Sequence, residues 1–387
     1  MKQETNLLII GAGPFGLAVA SNSQHLGIDH LIVGKPMEFW KTNMPDGMFL
    51  RSASDWHLDP QDVDTIEHFL QTQDLTPADV EPLSRELYLK YVQWFQKQKH
   101  LEMIPKYVKQ LDYIENEAGQ FQATLEDGHI IIAKQIVMAI GFKYFKNTPK
   151  DLVERLPAGR FSHTCDHVEF KNLKDKRCLI IGGRQSAFEW TALINEAGAK
   201  AIHVVHRHDS PTFTEADWSW VNPIVDAMID NPGWFRNLTK EEKDSNNHRL
   251  WAEGRLKVEP WLESRVTKET VKLWQNTQVI SCDELPDGSL AVSLENGENL
   301  IVDHIILATG YKVNMSQVPF LKSGNILQKL KTLNGFPVLD KNFQTNIPGF
   351  FVTSMAAAQD FGPFFGFTIS TRTSAKLIGQ ALVNGEE

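Results

Sequence analysis

The stretch Asn6–Ala20, NLLIIGAGPFGLAVA, decides the fold of this chain. Leu7 to Ile10 is a short, wholly apolar run, the kind that forms a buried parallel strand. Gly11, Gly13 and Gly16 follow at G-x-G-x-x-G spacing, and Leu17 to Ala20 begin a helix. The first glycine permits a tight turn. The second lets backbone approach a pyrophosphate, and the third lets helix pack on strand. With Pro14 and Phe15 at the helix start, the turn offers unpaired N–H groups and a partial positive charge to phosphates. The strand–turn–helix setting is what separates such a motif from an incidental glycine-rich turn.

The unit recurs. Leu125–Gly141, LEDGHIIIAKQIVMAIG, is matched by Leu294–Gly310, LENGENLIVDHIILATG. Gly11 and Gly141 stand 130 positions apart; Gly182, which opens a second glycine motif, and Gly310 stand 128 apart. Internal duplication on that scale predicts two similar nucleotide-binding domains. In the second motif Gly182, Gly183 and Ala187 fit, but Arg184 takes the place of the second glycine. A guanidinium there either grips phosphate bidentately or points to solvent. Gln185 and Ser186 open the following helix, where Ser186 is placed to cap or to touch phosphate. The strand Ala201–Val205 ends in His206-Arg207-His208 with no acid, so Arg207 favours the 2′-phosphate of NADPH, with NADH still possible.

The 387 residues carry a net charge of −9, with 42% hydrophobic and 22% charged residues. That is globular composition, and it argues against nucleic acid or an anionic membrane as partner. No apolar run approaches the roughly 18 residues of a membrane span, and the first apolar run is the nucleotide-binding strand rather than a signal peptide. Cys165, Cys178 and Cys282 form no C-x-x-C pair. A cytoplasmic protein without a dithiol centre is expected.

His30–Val33 reads as the second strand. The acid that usually follows and holds the ribose is replaced by Gly34 and Lys35, leaving the backbone or Lys35 for that contact. Pro36–Pro60 is rich in Met, Trp and Phe but broken by Pro and Gly. Trp40, Met44, Met48 and Arg51 are its candidates for the wall of a planar ring system. Residues 76–98 read as helical, with Tyr88, Tyr91, Trp94 and Phe95 as a core stripe. Residues 107–141 read as strands with a turn at Asp127-Gly128, and Lys143–Lys176 as the connector between modules. Residues 211–275 hold six of the ten tryptophans and read as a mostly helical insertion over the domain junction. In the tail, a strand-like run Gly349–Thr353 precedes Asp360 and Phe361, which open a Gly/Pro-broken aromatic segment. That segment would set backbone N–H groups against the pyrimidine edge of a flavin.

Two glycine motifs, two Ala-x-Gly strands and the C-terminal return segment together resemble the flavoproteins with two dinucleotide-binding domains. Within that group the chain looks most like the flavin-containing, N-hydroxylating and Baeyer–Villiger monooxygenases. IIGGRQSAFEW resembles the Gly-Gly-x-Gln-Ser-Ala form of the N-hydroxylating members, and Leu307–Tyr311 (LATGY) resembles their Ala-Thr-Gly-Tyr motif. Gly159-x-x-x-His163 partly matches the linker fingerprint F-x-G-x-x-x-H-x-x-x-W, with Pro157 and His167 in place of its Phe and Trp. WKTNMPDGMFLRS is similar to a bacterial branch near which a urate-hydroxylase-like role occurs.

The resemblance implies an α/β fold of two Rossmann-like domains. Residues 1–150 and 310–387 would bind FAD. Residues 172–309 would bind NAD(P)H and carry the Trp-rich insertion 211–275. It further implies a monooxygenase that uses NAD(P)H and O₂ to hydroxylate a small organic substrate through a flavin hydroperoxide. The alternatives are an NAD(P)H-dependent flavin reductase passing electrons to a quinone or partner protein, and a nucleotide sensor. The Trp-rich stretch favours the first, because a reductase of small acceptors needs no lid.

Overall fold

A computed structural model of the chain describes residues 2–115 and 119–384. The opening stretch folds as read, only longer. Strand β1 (Lys2–Ile10) runs into helix α1 (Pro14–His25), and β2 (His30–Val33) returns parallel to β1. The short helix α2 (Glu38–Thr42) follows, and then helix α3 (Arg85–Gln98). The helix expected over 76–98 begins only at Arg85, capped by Ser84, whose Oγ accepts from Leu87 N at 3.2 Å. Pro77 and Pro82 are the reason: a proline has no N–H to donate, and the residues before them leave helical conformation. Tyr88, Tyr91 and Phe95 are fully buried as expected, and Trp94 is half-buried.

Strand β4 (Gln120–Leu125) pairs antiparallel with both β3 (Val108–Ile114) and β5 (Ile130–Met138), and β5 then runs parallel to β1. The order is β2-β1-β5-β4-β3, and the C-terminal strand Phe350–Val352 adds parallel to the end of β5. The chain closes with the helix Ser370–Asn384, packed along α1.

The second sheet repeats the plan. Its five parallel strands stand in the order Val271–Trp274, Ala201–Val205, Arg177–Ile181, His304–Leu307, Phe161–His163. Beside it lies an antiparallel trio, Val279–Glu284, Leu290–Leu294 and Asn299–Val302. Two expectations shift here. Trp274 lies on an edge strand, not in a helical insertion, because Val271–Trp274 finds a parallel partner in Ala201–Val205. The connector 143–176 likewise gives up Phe161–His163 to the other edge. The rest of the Trp-rich stretch is chiefly helical, with Val221–Asp230 and Lys240–Arg255 as its longest helices.

The two units match atom for atom at their turns. Gly11 N donates to Val33 O at 2.8 Å and Gly182 N to Val205 O at 2.9 Å; Ala139 N donates to Ile10 O and Ala308 N to Ile181 O, both at 2.8 Å. Phe142 and Tyr311 follow the two equivalent glycines Gly141 and Gly310, and their rings meet at 4.9 Å.

Candidate functional site

The backbone geometry explains why these glycines stand where they do. Gly11 has φ +120°, and a Cβ there would lie 2.3 Å from Ala139 O; one at Gly16 would lie 1.8 Å from Gly11 O. The protein itself requires both. Gly13 differs: a Cβ there would meet no protein atom within 4 Å. Its missing side chain opens space at the N-terminus of α1, where N–H groups face outward. That is the shape and polarity a pyrophosphate takes.

The opening leads into a cleft with about 790 Å³ of empty space. Gly11, Gly13, Pro14, Phe15, Lys35 and Trp40 line it, as expected from sequence. Trp40 is held by Tyr88, ring to ring at 4.8 Å. Gly16 sits behind the turn, against Gly11. Glu38, Tyr107, Phe142 and Lys143 also line the cleft and were missed. A signal for two of them was present, since Gly141-Phe142-Lys143 recurs as Gly310-Tyr311-Lys312.

At the second turn Gly182 has φ +141°, and its Cβ would lie 2.3 Å from Ala308 O. A Cβ at Gly183 would strike the His206 side chain at 2.5 Å. Arg184, at the position of Gly13, is exposed beside Gln185 and Ser186 at the start of the helix Gln185–Glu196. Arg207 is also exposed. Partial desolvation, and then the Arg207 cation, lower the Arg184 pKa. Among the described residues neither arginine has an ion-pair partner, so two neighbouring cations stand uncompensated at the exposed start of this helix and the end of the strand Ala201–Val205. An anion such as a nucleotide phosphate would relieve their repulsion.

Gln185 anchors rather than faces outward. Its Nε2 donates to Glu189 Oε1 at 3.3 Å, and its Oε1 accepts from Glu259 N at 3.2 Å. Glu189 is fully buried, and desolvation pushes its pKa up to about 7 against the N–H of Trp261 and the charge of Arg265. Glu259 in turn pairs with Arg51 Nε at 2.7 Å. This places Arg51 away from the cleft. Its Nη1 also donates to Gly254 O at 2.6 Å, so it is the strut joining the first unit to the Trp-rich stretch.

Met48 packs on the core of the second unit, and its carbonyl accepts from Arg85 N. Asp360 accepts from Leu339 N at 2.8 Å and faces Arg236 at 3.5 Å. The Phe361 ring is buried, stacked on Phe343 at 3.6 Å, so side-chain contact with a ligand is closed to it. Gly310 is drawn into the joint between units: its carbonyl accepts from Asn147 N at 2.9 Å and from His163 Nε2 at 3.0 Å. His163 Nδ1 accepts from Cys165 N at 3.3 Å, so the neutral Nε2–H form satisfies both bonds. Desolvation, the first cause, lowers its pKa and favours that form. His163 is a buried hydrogen-bonder, not a surface residue.

Trp218 and Trp220 dock on the C-terminal segment. Trp220 meets Phe364 edge-on at 5.2 Å, and Trp218 meets Phe367 at 5.8 Å and Trp56 at 6.4 Å. The three cysteines are buried and unpaired; desolvation pushes Cys165, Cys178 and Cys282 up to about 11, 12 and 11. Among the described residues no helix is long and apolar enough to cross a membrane.

A family model described as "Pyridine nucleotide-disulphide oxidoreductase" matches residues 8–233. An FAD-dependent urate hydroxylase of Xanthomonas campestris pv. campestris is 28% identical over 150 residues, 38% of this chain and 30% of that relative's length. The chain therefore spans under a third of that relative in the match. Among solved structures, an ornithine N-hydroxylase of Kutzneria sp. 744, determined with reduced FAD, NADP⁺ and L-ornithine, superposes with TM-score 0.81 at 13% identity, over 99% of this chain and 100% of that one. The ornithine hydroxylase of Pseudomonas aeruginosa gives 0.78 at 16%, with the same coverage. The bacillithiol disulfide reductase of Staphylococcus aureus gives 0.66 at 21%, over 100% of both chains. At such identities the likeness is one of fold.

Proposed function

The chain belongs to the pyridine nucleotide-disulphide oxidoreductase family, and from that premise we propose that it is an FAD-dependent monooxygenase that uses NADPH and O₂ to hydroxylate a small organic substrate. The observation that carries this reading is the pair of equivalent turns, one open at Gly13 and one armed with Arg184 and Arg207. FAD, when bound, supplies the redox chemistry and the reaction with oxygen. The chain supplies position. Gly11, Gly13 and the N-terminus of α1 take the FAD pyrophosphate. Arg184 and Arg207 take the phosphates of NADPH. The Trp218–Trp220 region shields the reacting rings from water. The unpaired, buried cysteines, with their thiols held protonated, speak against disulfide reduction despite the likeness to bacillithiol disulfide reductases.

The purified protein is expected to be yellow, to bleach with NADPH under nitrogen, and to consume O₂ with NADPH in air. Protein that purifies without flavin, or flavin that NADPH does not reduce, would sink this reading. Reduction by NADPH with slow use of O₂ but fast turnover with a quinone would replace it with the reductase.

Arg207→Ala tests the choice of nucleotide. The Michaelis constant for NADPH is expected to rise about 10–100-fold, the value of one charge-assisted contact, with that for NADH nearly unchanged. Equal losses for both would make Arg207 structural.

A further inference from the structure

We propose that Glu38 is the acceptor for the ribose hydroxyls on the adenosine side of the first cleft, the task an acid at the end of β2 ordinarily performs. The inference deepens the reading of that cleft as the FAD site and rests on it. At the usual position Gly34 offers no side chain, and a Cβ there would press on Ala12 N at 3.0 Å. The chain instead hugs the glycine turn and comes back. Met37 has φ +52°, and its N–H donates to Ala12 O at 2.9 Å. That bend sets Glu38 as the first residue of α2, on the wall of the cleft.

The carboxylate is oriented but not saturated. Oε2 accepts from Lys143 Nζ at 2.8 Å, and that ammonium lies 3.6 Å from the centroid of the Tyr107 ring. Oε1 has Lys35 Nζ at 3.5 Å and keeps lone pairs for hydroxyl donors. Glu38, Lys143 and Tyr107 all line the same cleft and come from three separate segments. A partly exposed ion pair of this kind adds little to stability. Its use is to aim one oxygen into the cleft, which makes Lys143 a positioning residue.

The test is titration of full-length apoprotein, stripped of flavin, with FAD and with FAD made from 2′,3′-dideoxyadenosine, read by flavin fluorescence. The parent is expected to bind FAD about tenfold or more tightly than the analogue. Glu38→Ala is expected to bind FAD about tenfold more weakly than the parent and to treat both ligands alike. Glu38→Gln, which keeps shape and one acceptor, should fall between. A Glu38→Ala protein that still discriminates as the parent does would overturn the assignment. So would tighter binding of a 2′-phosphorylated analogue than of FAD, which would hand the cleft to its lysines. Failure of the parent itself to bind FAD would be a different result: it would remove the FAD reading, and this assignment with it.

Discussion

Gly13→Val yields a folded protein that purifies without flavin. A Cβ at Gly13 would meet no protein atom within 4 Å, so the fold leaves room for the branch point of a valine side chain. The backbone at Gly13 is extended, which valine adopts without strain. Only the ligand loses: a branched side chain lies where the pyrophosphate must approach the N-terminal N–H groups of α1. Loss of those charge-assisted bonds is expected to weaken FAD by at least about 100-fold. The melting temperature of the apoprotein should match that of the stripped parent. Gly16→Val is the contrast, because its Cβ would collide with Gly11 O; that variant should fail to fold. A Gly13→Val protein as yellow as the parent would show that the first turn is not the flavin site.

The second large effect concerns oxygen. Trp218→Ala/Trp220→Ala should keep FAD and be reduced by NADPH, yet release most of the oxygen it consumes as free hydrogen peroxide. A monooxygenase must exclude water while oxygen is activated. Trp220 is buried against Phe364, and Trp218 bridges Phe367, Trp56 and the Arg51 guanidinium, 5.4 Å from its ring. Removing both rings takes away the aromatic contacts that hold the Trp-rich stretch to the C-terminal segment. Peroxide release after mixing NADPH-reduced protein with oxygen is expected to quicken about tenfold or more, the loss of one or two kcal/mol of shielding. Unchanged peroxide yield in a variant that still folds and binds FAD would deny these residues a shielding role. Fast peroxide release in the parent itself, even with NADP⁺ present, would favour the reductase.

Most of the scaffold was legible because it is local. Apolar runs followed by glycines dictate strand–turn–helix from a few neighbouring residues, and β2 and Ala201–Val205 occur at the residues read. The duplication was legible because both spacing and motif recur. Errors arose where local pattern met a competing constraint. Pro82 outweighed helical spacing before Arg85, and an open sheet edge took Val271–Trp274 from the Trp-rich stretch.

The chain's residues by themselves determined that two nucleotide turns exist, because no other residue fits at Gly11 and Gly16 in the first or at Gly182 in the second once backbone passes so near. They did not determine which side chains face the cleft. Arg51 and Phe361 have the chemistry of ligand contacts, yet Arg51 is consumed by Glu259 and Gly254, and Phe361 by Phe343. Glu38 stands four residues past the position where an acid is sought, and only the left-handed turn at Met37 and the grip of Lys143 bring it there. A side chain's partner depends on segments distant in sequence, here 105 residues for Glu38 and Lys143 and 208 for Arg51 and Glu259. Those distances close only when the sheets pack, and that packing decides which charged groups are left to meet a ligand.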